Sequence, residues 1–233
     1  MLSVKNLHAF YGRAHILHGV SLEARAGEVV ALLGRNGAGK STALKAIMGL
    51  VPPAEGEVTF EGRRIEHLQP YRIARLGLGY VPEERRIFTE LTVMENLEVG
   101  RQATRGAAPA WTEDKLFALF PNLAAMRERP GGRMSGGEQQ MLTIARTLMG
   151  NPSCVLLDEP SEGLAPIIVE QMARSIHALK GEGLCVLLSE QNLHFSQAVA
   201  DRAYIIEKGQ IRFGGTMAEL ASDASLREQY LSV

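Results

Sequence analysis

The stretch "VVALLGRNGAGKST" constrains this chain more than any other. Five apolar residues, Val29 to Leu33, precede Gly34, Arg35, Asn36, Gly37, Ala38, Gly39, Lys40, Ser41 and Thr42, which fit G-x-x-x-x-G-K-[ST] in register. A continuous apolar run is what a strand buried on both faces needs. The "GKSTALKAIMGL" that follows reads as a helix, with Gly49 placed to end it. Between strand and helix the glycines let backbone N–H groups converge on phosphate oxygens, because side chains there would block the approach. Lys40 supplies a point charge for the β- and γ-phosphates, and the Ser41 hydroxyl is placed for Mg²⁺. A chance glycine-rich turn would not sit between a buried strand and a helix.

Composition narrows the partners. The net charge of −1 argues against a nucleic-acid binder whose affinity rests on a basic face. Arginines recur between Arg63 and Arg133, but acidic residues are mixed among them, and a solvated, salt-bridged surface is expected. The two cysteines, Cys154 and Cys185, lie inside apolar runs and read as buried reduced thiols. Histidines 8, 15, 18, 67, 177 and 194 show no metal-ligand spacing. The N-terminus lacks a signal-peptide layout, and no apolar run approaches the roughly 20 residues of a membrane span. A cytosolic chain is expected, with any membrane association made through a partner.

The layout predicts an α/β fold. "LSVKNL" and "HILHGVSLEA" alternate like antiparallel strands, and "PPAEGEVTFEGRRI" and "LGLGYVP" add strand-and-turn character. From about residue 89 to 150, "TVMENLEVGRQ", "TEDKLFALFPNL" and "GGEQQMLTIARTLMG" carry helical spacing, with Phe117 and Phe120 read as core. Parallel-sheet character returns in "CVLLDEP", a helix over 165–180 and "LCVLLSEQ", before a hairpin around Lys208–Gly209. The prediction is a single domain: core segments 1–85 and 151–233 with a β subdomain, around a helical subdomain of about 86–150.

Three further segments carry chemistry. "CVLLDEP" places Asp158 near the metal and Glu159 one step further out, as a general base for an attacking water. In "RMSGGEQQ", Ser135 and Glu138 form a capping box, so a helix starts there. Gly136 and Gly137 leave its first N–H groups unshielded, an anion-binding end that implies a nucleotide gripped from two sides. "CVLLSEQN" ends a buried strand in a polar tip.

"GRNGAGKST", "MSGGEQQ" and "VLLDEP", in this order, resemble an ATP-binding-cassette ATPase, whose signature is L-S-G-G-Q. The resemblance implies a P-loop NTPase, RecA-like core with an antiparallel β subdomain and an inserted α-helical subdomain. It implies ATP and Mg²⁺, and two cassettes paired head to tail. Ser135, Gly136, Gly137 and Glu138 of one cassette then close over ATP on the phosphate loop of the other. Tyr11, or its neighbour Phe10, takes the adenine-stacking position. Glu83 of "YVPEERRIF" stands where the family has a metal-contacting Gln, Ala165 stands where it has Asp, and Gln191 stands where it has a γ-phosphate-facing His. Gln191 positions rather than titrates.

"VPEERRIF", "DEPSEGLAP" and "SEQN" together resemble the ATPase subunits of bacterial branched-chain (hydrophobic) amino-acid importers, with urea-importer ATPases the nearest rival. Such a subunit works at the cytoplasmic face of the inner membrane. Its partners are two transmembrane permeases, a second ATPase (a paralogue or a copy of itself) and, indirectly, an extracytoplasmic solute-binding protein. A soluble cassette ATPase acting on DNA or ribosomes would carry long coiled coils or a second cassette. A small P-loop kinase leaves "MSGGEQQ" unexplained.

Overall fold

The computed structural model describes residues 1–105 and 110–231. It begins with a long hairpin, β1 (Leu2–Tyr11) and β2 (Ala14–Ala24), followed by β3 (Val29–Leu33) and α1 (Lys40–Ile47). β4 (Pro53–Phe60) and the short β5 (Arg63–Arg64) return to the hairpin and complete an antiparallel sheet in the order β2-β1-β4-β5. α2 (Pro70–Leu76) and β6 (Leu78–Val81) lead into the helical stretch. That stretch holds α3 (Val93–Gly100), α4 (Glu113–Leu119), α5 (Pro121–Ala124) and α6 (Gly136–Leu148).

The chain then re-enters the sheet with β7 (Cys154–Asp158), crosses by α7 (Pro166–Gly181) to β8 (Cys185–Glu190), and passes through α8 (Leu193–Val199). β9 (Arg202–Glu207) and β10 (Gln210–Thr216) form the hairpin expected around Lys208–Gly209, before α9 (Met217–Ser222) and α10 (Ala224–Tyr230). The second sheet has the order β10-β9-β3-β8-β7-β6 and is parallel except for β10.

β3 explains why two layers cover this sheet. Successive side chains of a strand point to opposite faces. Val29, Ala31 and Leu33 join Val155, Leu157, Val186 and Leu188 in one core, which the helical stretch and α7 cover with Leu97, Met141, Leu142, Met172 and Ile176. Val30 and Leu32 join Leu156 and Leu187 in the other, where α1 and the four-stranded sheet supply Leu44, Ile47, Leu7 and Leu17. Each Val, Leu, Ile or Met among them, fully buried, contributes about 1.5–3 kcal/mol. Phe117 and Phe120 lie in the first core, as their spacing predicts.

The architecture is the α/β fold the sequence predicts, with differences in detail. The short helices α2, α8, α9 and α10 add to the elements that the sequence pattern predicts. Cys154 and Cys185 are buried free thiols, as expected, and the fold sets them opposite one another on adjacent strands. The arginine-rich region is not simply a solvated surface. Arg105 donates to the carbonyls of Gly150 and Asn151 at 2.9 and 2.8 Å, and burial lowers its pKa. It ties together loops that have no strand to satisfy their carbonyls.

Candidate active site

The register of the parallel strands gathers the predicted residues. Leu33 pairs with Glu190, and Asp158 with Ser189, so the carboxyl ends of β3, β7 and β8 lie side by side. Crevices at such strand ends are where open α/β sheets bind ligands. The phosphate loop leaves β3 here and enters α1 through Gly39, whose φ of +109° only glycine adopts readily. Gly34 is as constrained, since a Cβ there would fall 2.5 Å from the Ile206 carbonyl oxygen.

Lys40 is buried and fully engaged. Its ammonium donates to the carbonyls of Gly34 and Arg35 at 2.8 and 3.1 Å and pairs with Glu159 Oε1 at 2.9 Å. The second oxygen, Glu159 Oε2, is buried and has no hydrogen-bond partner among the described residues. Glu159 itself sits at φ +47°, a left-handed conformation costing roughly 1–2 kcal/mol for a side chain with a Cβ. Its N–H is held by the carbonyl and hydroxyl of Ser189, both at 3.1 Å. Strain of this kind persists where surrounding bonds over-determine it.

Asp158 accepts from three hydroxyls. Ser41 and Ser189 donate to Oδ1 at 2.9 and 2.7 Å, and Tyr80 donates to Oδ2 at 3.0 Å. Burial raises the Tyr80 pKa, and the Asp158 charge raises it further, so its phenol stays a donor. Ser41 with one carboxylate is a hard-oxygen set suited to Mg²⁺, which keeps waters and phosphate oxygens for its other positions.

A cleft of about 390 Å³ opens above these groups. Asn36, Gly37, Gly39, Lys40, Ser41 and Thr42 of the phosphate loop line it, together with Tyr11, Glu83 and Glu159. Gly34, Arg35 and Ala38 shape the loop without lining the cleft. Of the two aromatic candidates, Phe10 stacks on His15 at 4.1 Å, while Tyr11 lines the cleft. Gln191 is exposed, one residue past the tip of β8.

The signature segment lies outside this cleft, at the start of α6, where the predicted capping box is present. Glu138 N–H donates to Ser135 Oγ at 3.3 Å, and Ser135 N–H donates to Glu138 Oε2 at 2.7 Å. Gly136 and Gly137 form its first turn.

Ile16, Glu162 and Tyr80 carry no mark in the sequence, and Ser189 and Glu190 show there only as part of the polar strand tip. The first two line the cleft. Only the strand register shows what Ser189 and Glu190 touch. Glu190 is 1% exposed, and burial, with Glu159 nearby, pushes its carboxyl up to about 7. Between the usual glutamate value of 4.5 and that point, the folded chain holds a proton that the unfolded chain has released. Stability therefore falls as pH rises through this window. Urea unfolding across pH is expected to show wild type losing stability relative to Glu190→Gln from about pH 4.5 to 7 and no further divergence above. Parallel curves throughout would contradict the shift.

A strand–phosphate loop–helix unit with a buried lysine, and an Asp-Glu pair at the neighbouring strand tip, define a P-loop nucleotide hydrolase. Residues 17–162 match the family model described as ABC transporter. The chain is 45% identical over 231 residues, 99% of both chains, to the high-affinity branched-chain amino acid transport ATP-binding protein BraG of Pseudomonas aeruginosa. It is 37% identical to the lipopolysaccharide export system ATP-binding protein LptB of Escherichia coli, covering 99% of this chain and 96% of that one. A crystal structure of the ADP conformation of an ATP-binding cassette of an ABC transporter superposes with a TM-score of 0.82 at 28% identity, covering 98% and 97% of the two chains. This chain belongs to the ABC transporter family, as an ATP-binding cassette. It is an ATPase, the motor subunit type of that family.

Proposed function

We propose that the chain drives a bacterial importer of branched-chain or other hydrophobic amino acids, at the cytoplasmic face of the inner membrane. The observation that carries this reading is the 45% identity to BraG over 99% of both chains. The "SEQN" tip, with Gln191 in place of a histidine, supports the same branch of the family.

ATP lies along the cleft with its adenine on Tyr11 and its phosphates on the loop from Gly34 to Thr42. Lys40 exchanges its contacts to Gly34, Arg35 and Glu159 for β- and γ-phosphate oxygens. That exchange releases Glu159, whose unpartnered Oε2 takes the proton from the attacking water. Ser41, Asp158 and Glu83 would hold Mg²⁺, which would supply charge neutralisation on the phosphates; Ser41 bonds Asp158, and Ser41 and Glu83 both line the cleft. Gln191 orients groups at the γ-phosphate without moving a proton. Ser135, Gly136, Gly137 and Glu138 act on the nucleotide of a second cassette, either a paralogue or another copy of this chain, because they lie outside their own cleft.

The stretch of about 86–150 forms the helical subdomain, and its junction with the core supports a membrane partner. A groove of about 520 Å³ runs there between α2, β6, α3 and α6. Four of the chain's exposed large apolar side chains line it: Leu50, Tyr71, Phe88 and Val99, each between 47% and 54% exposed. Apolar clustering of this kind marks a protein contact. Two transmembrane permease subunits, the partners this family reading implies, would provide the path; among the described residues no helix is long and apolar enough to cross a membrane.

The test is purification of the tagged chain from gently solubilised membranes, with identification of co-purifying subunits and measurement of leucine uptake. Amino-acid permeases and their solute-binding protein are expected. Permeases of a urea importer would reassign the solute. Recovery with lipopolysaccharide-export subunits would favour a second reading, for which the 37% identity to LptB speaks. Val99→Asp is expected to lose the permeases from the pull-down while ATP binding by the chain is unchanged. Retention of the permeases would remove the groove from the interface.

A further inference from the structure

Glu190 has no part in the mechanism above, yet both of its carboxylate oxygens are used. Oε1 accepts from the Ser161 N–H at 3.0 Å, and Oε2 accepts from the Asn192 N–H at 3.2 Å. The Glu190 carbonyl accepts from the N–H of Gly34, the first residue of the phosphate loop, at 3.2 Å. Ser161 lies two residues past Glu159, in the turn that Glu162 N–H closes onto the Glu159 carbonyl at 3.2 Å. Asn192 directly follows Gln191 and caps α8.

We propose that Glu190 is a positioning residue that locks the loop carrying Glu159 and the loop carrying Gln191 into one arrangement on the edge of the phosphate loop. The proposal rests on the roles given above to Glu159 and Gln191. Two ordinary backbone N–H groups are satisfied at far lower cost by carbonyls or water than by a carboxylate buried near another carboxylate. Above about pH 7, where it is ionised, the Glu190 carboxylate offers what those cannot: two rigidly joined acceptors, each facing a different loop. Movement of the turn after Glu159 is thereby transmitted to the Gln191 tip. Glu162, in that turn, lines the nucleotide cleft, so nucleotide contact on one side of the bridge reaches the other.

The decisive variant is Glu190→Gln, of nearly the same shape but with one acceptor oxygen. One of the two N–H groups then faces an amide NH₂ instead of an acceptor. Amide exchange at Ser161 or Asn192 in the full chain is expected to speed up roughly tenfold, as local opening becomes easier. In the assembled transporter, kcat should fall roughly tenfold with KM for ATP held within about twofold, the pattern of lost positioning rather than lost binding. Unchanged exchange at both amides, or unchanged kcat, would overturn the proposal. So would a fall in kcat matched by a rise in KM. If Glu190→Gln does not fold, wild type decides. The Ser161 and Asn192 amides must change protection together when ATP is added, and independent responses overturn the link. The amide arm reports on the bridge even if Glu159 proves not to be the base, which the turnover of Glu159→Gln tests separately.

Discussion

Glu159→Gln is expected to bind ATP with wild-type affinity and to lose steady-state hydrolysis by roughly 10²–10⁴-fold, the range of a missing general base. The geometry makes this substitution unusually clean. Glutamine has the shape of glutamate, so the left-handed turn at φ +47° and the N–H bonds to Ser189 are unaffected. Its amide oxygen still accepts from Lys40 in place of Oε1, so the phosphate loop keeps its support. What changes is the unpartnered oxygen, which becomes an NH₂ that donates and cannot take a proton from water. ATP should accordingly hold two cassettes together for longer, visible as an ATP-dependent dimer in size-exclusion chromatography. Unchanged turnover would refute the role of Glu159.

The parts of this site legible in the sequence are those whose chemistry and geometry are local. The phosphate loop needs glycines, a lysine and a hydroxyl in fixed succession after a buried strand, so Gly34 to Thr42 declare themselves within nine residues. The capping box at Ser135 and Glu138 is equally local, because both of its bonds span three residues.

What the sequence hides is register between distant strands. Nothing near Ser189 indicates that β7 and β8 pair so that its hydroxyl bridges Asp158 and the Glu159 N–H, 31 and 30 residues away. Tyr80 reaches Asp158 across 78 residues for the same reason. Histidines 8, 15 and 18 show no pattern in sequence, yet the β1–β2 ribbon brings His8 Nδ1 within 3.1 Å of His15 Nε2, with the His15 and His18 rings 3.9 Å apart. Among the described residues no group of three His, Cys, Asp or Glu side chains is arranged to hold a metal. The unanticipated helices are short, yet they carried signals. Thr216 and Glu219 form a capping box at α9, Pro70 opens α2, and Asn192 caps α8. A six- or seven-residue helix offers too few turns for a stripe of apolar residues to emerge, so only its caps can betray it.

Lys40→Ala is expected to do two separable kinds of damage. Removing the ammonium takes away the charge proposed above to meet the β- and γ-phosphates, so ATP binding measured by equilibrium titration should be lost. It also strands Glu159, since Lys40 and Glu159 are each 4% exposed and Glu159 Oε1 has the ammonium at 2.9 Å. Removing one partner of a buried ion pair leaves an uncompensated charge and costs about 3–5 kcal/mol. A lower unfolding temperature without nucleotide should therefore accompany the lost affinity. The double variant Lys40→Ala/Glu159→Gln separates the two effects. Neutralising Glu159 removes the stranded charge, so most of the lost stability should return, while ATP binding stays absent because no cation has been restored. The pair thus behaves non-additively in stability and additively in binding, as a double-mutant cycle would report. Full ATP affinity in Lys40→Ala would undo the phosphate-loop assignment. Equal instability of the single and double variants would mean that Glu159 finds another partner once the lysine is gone.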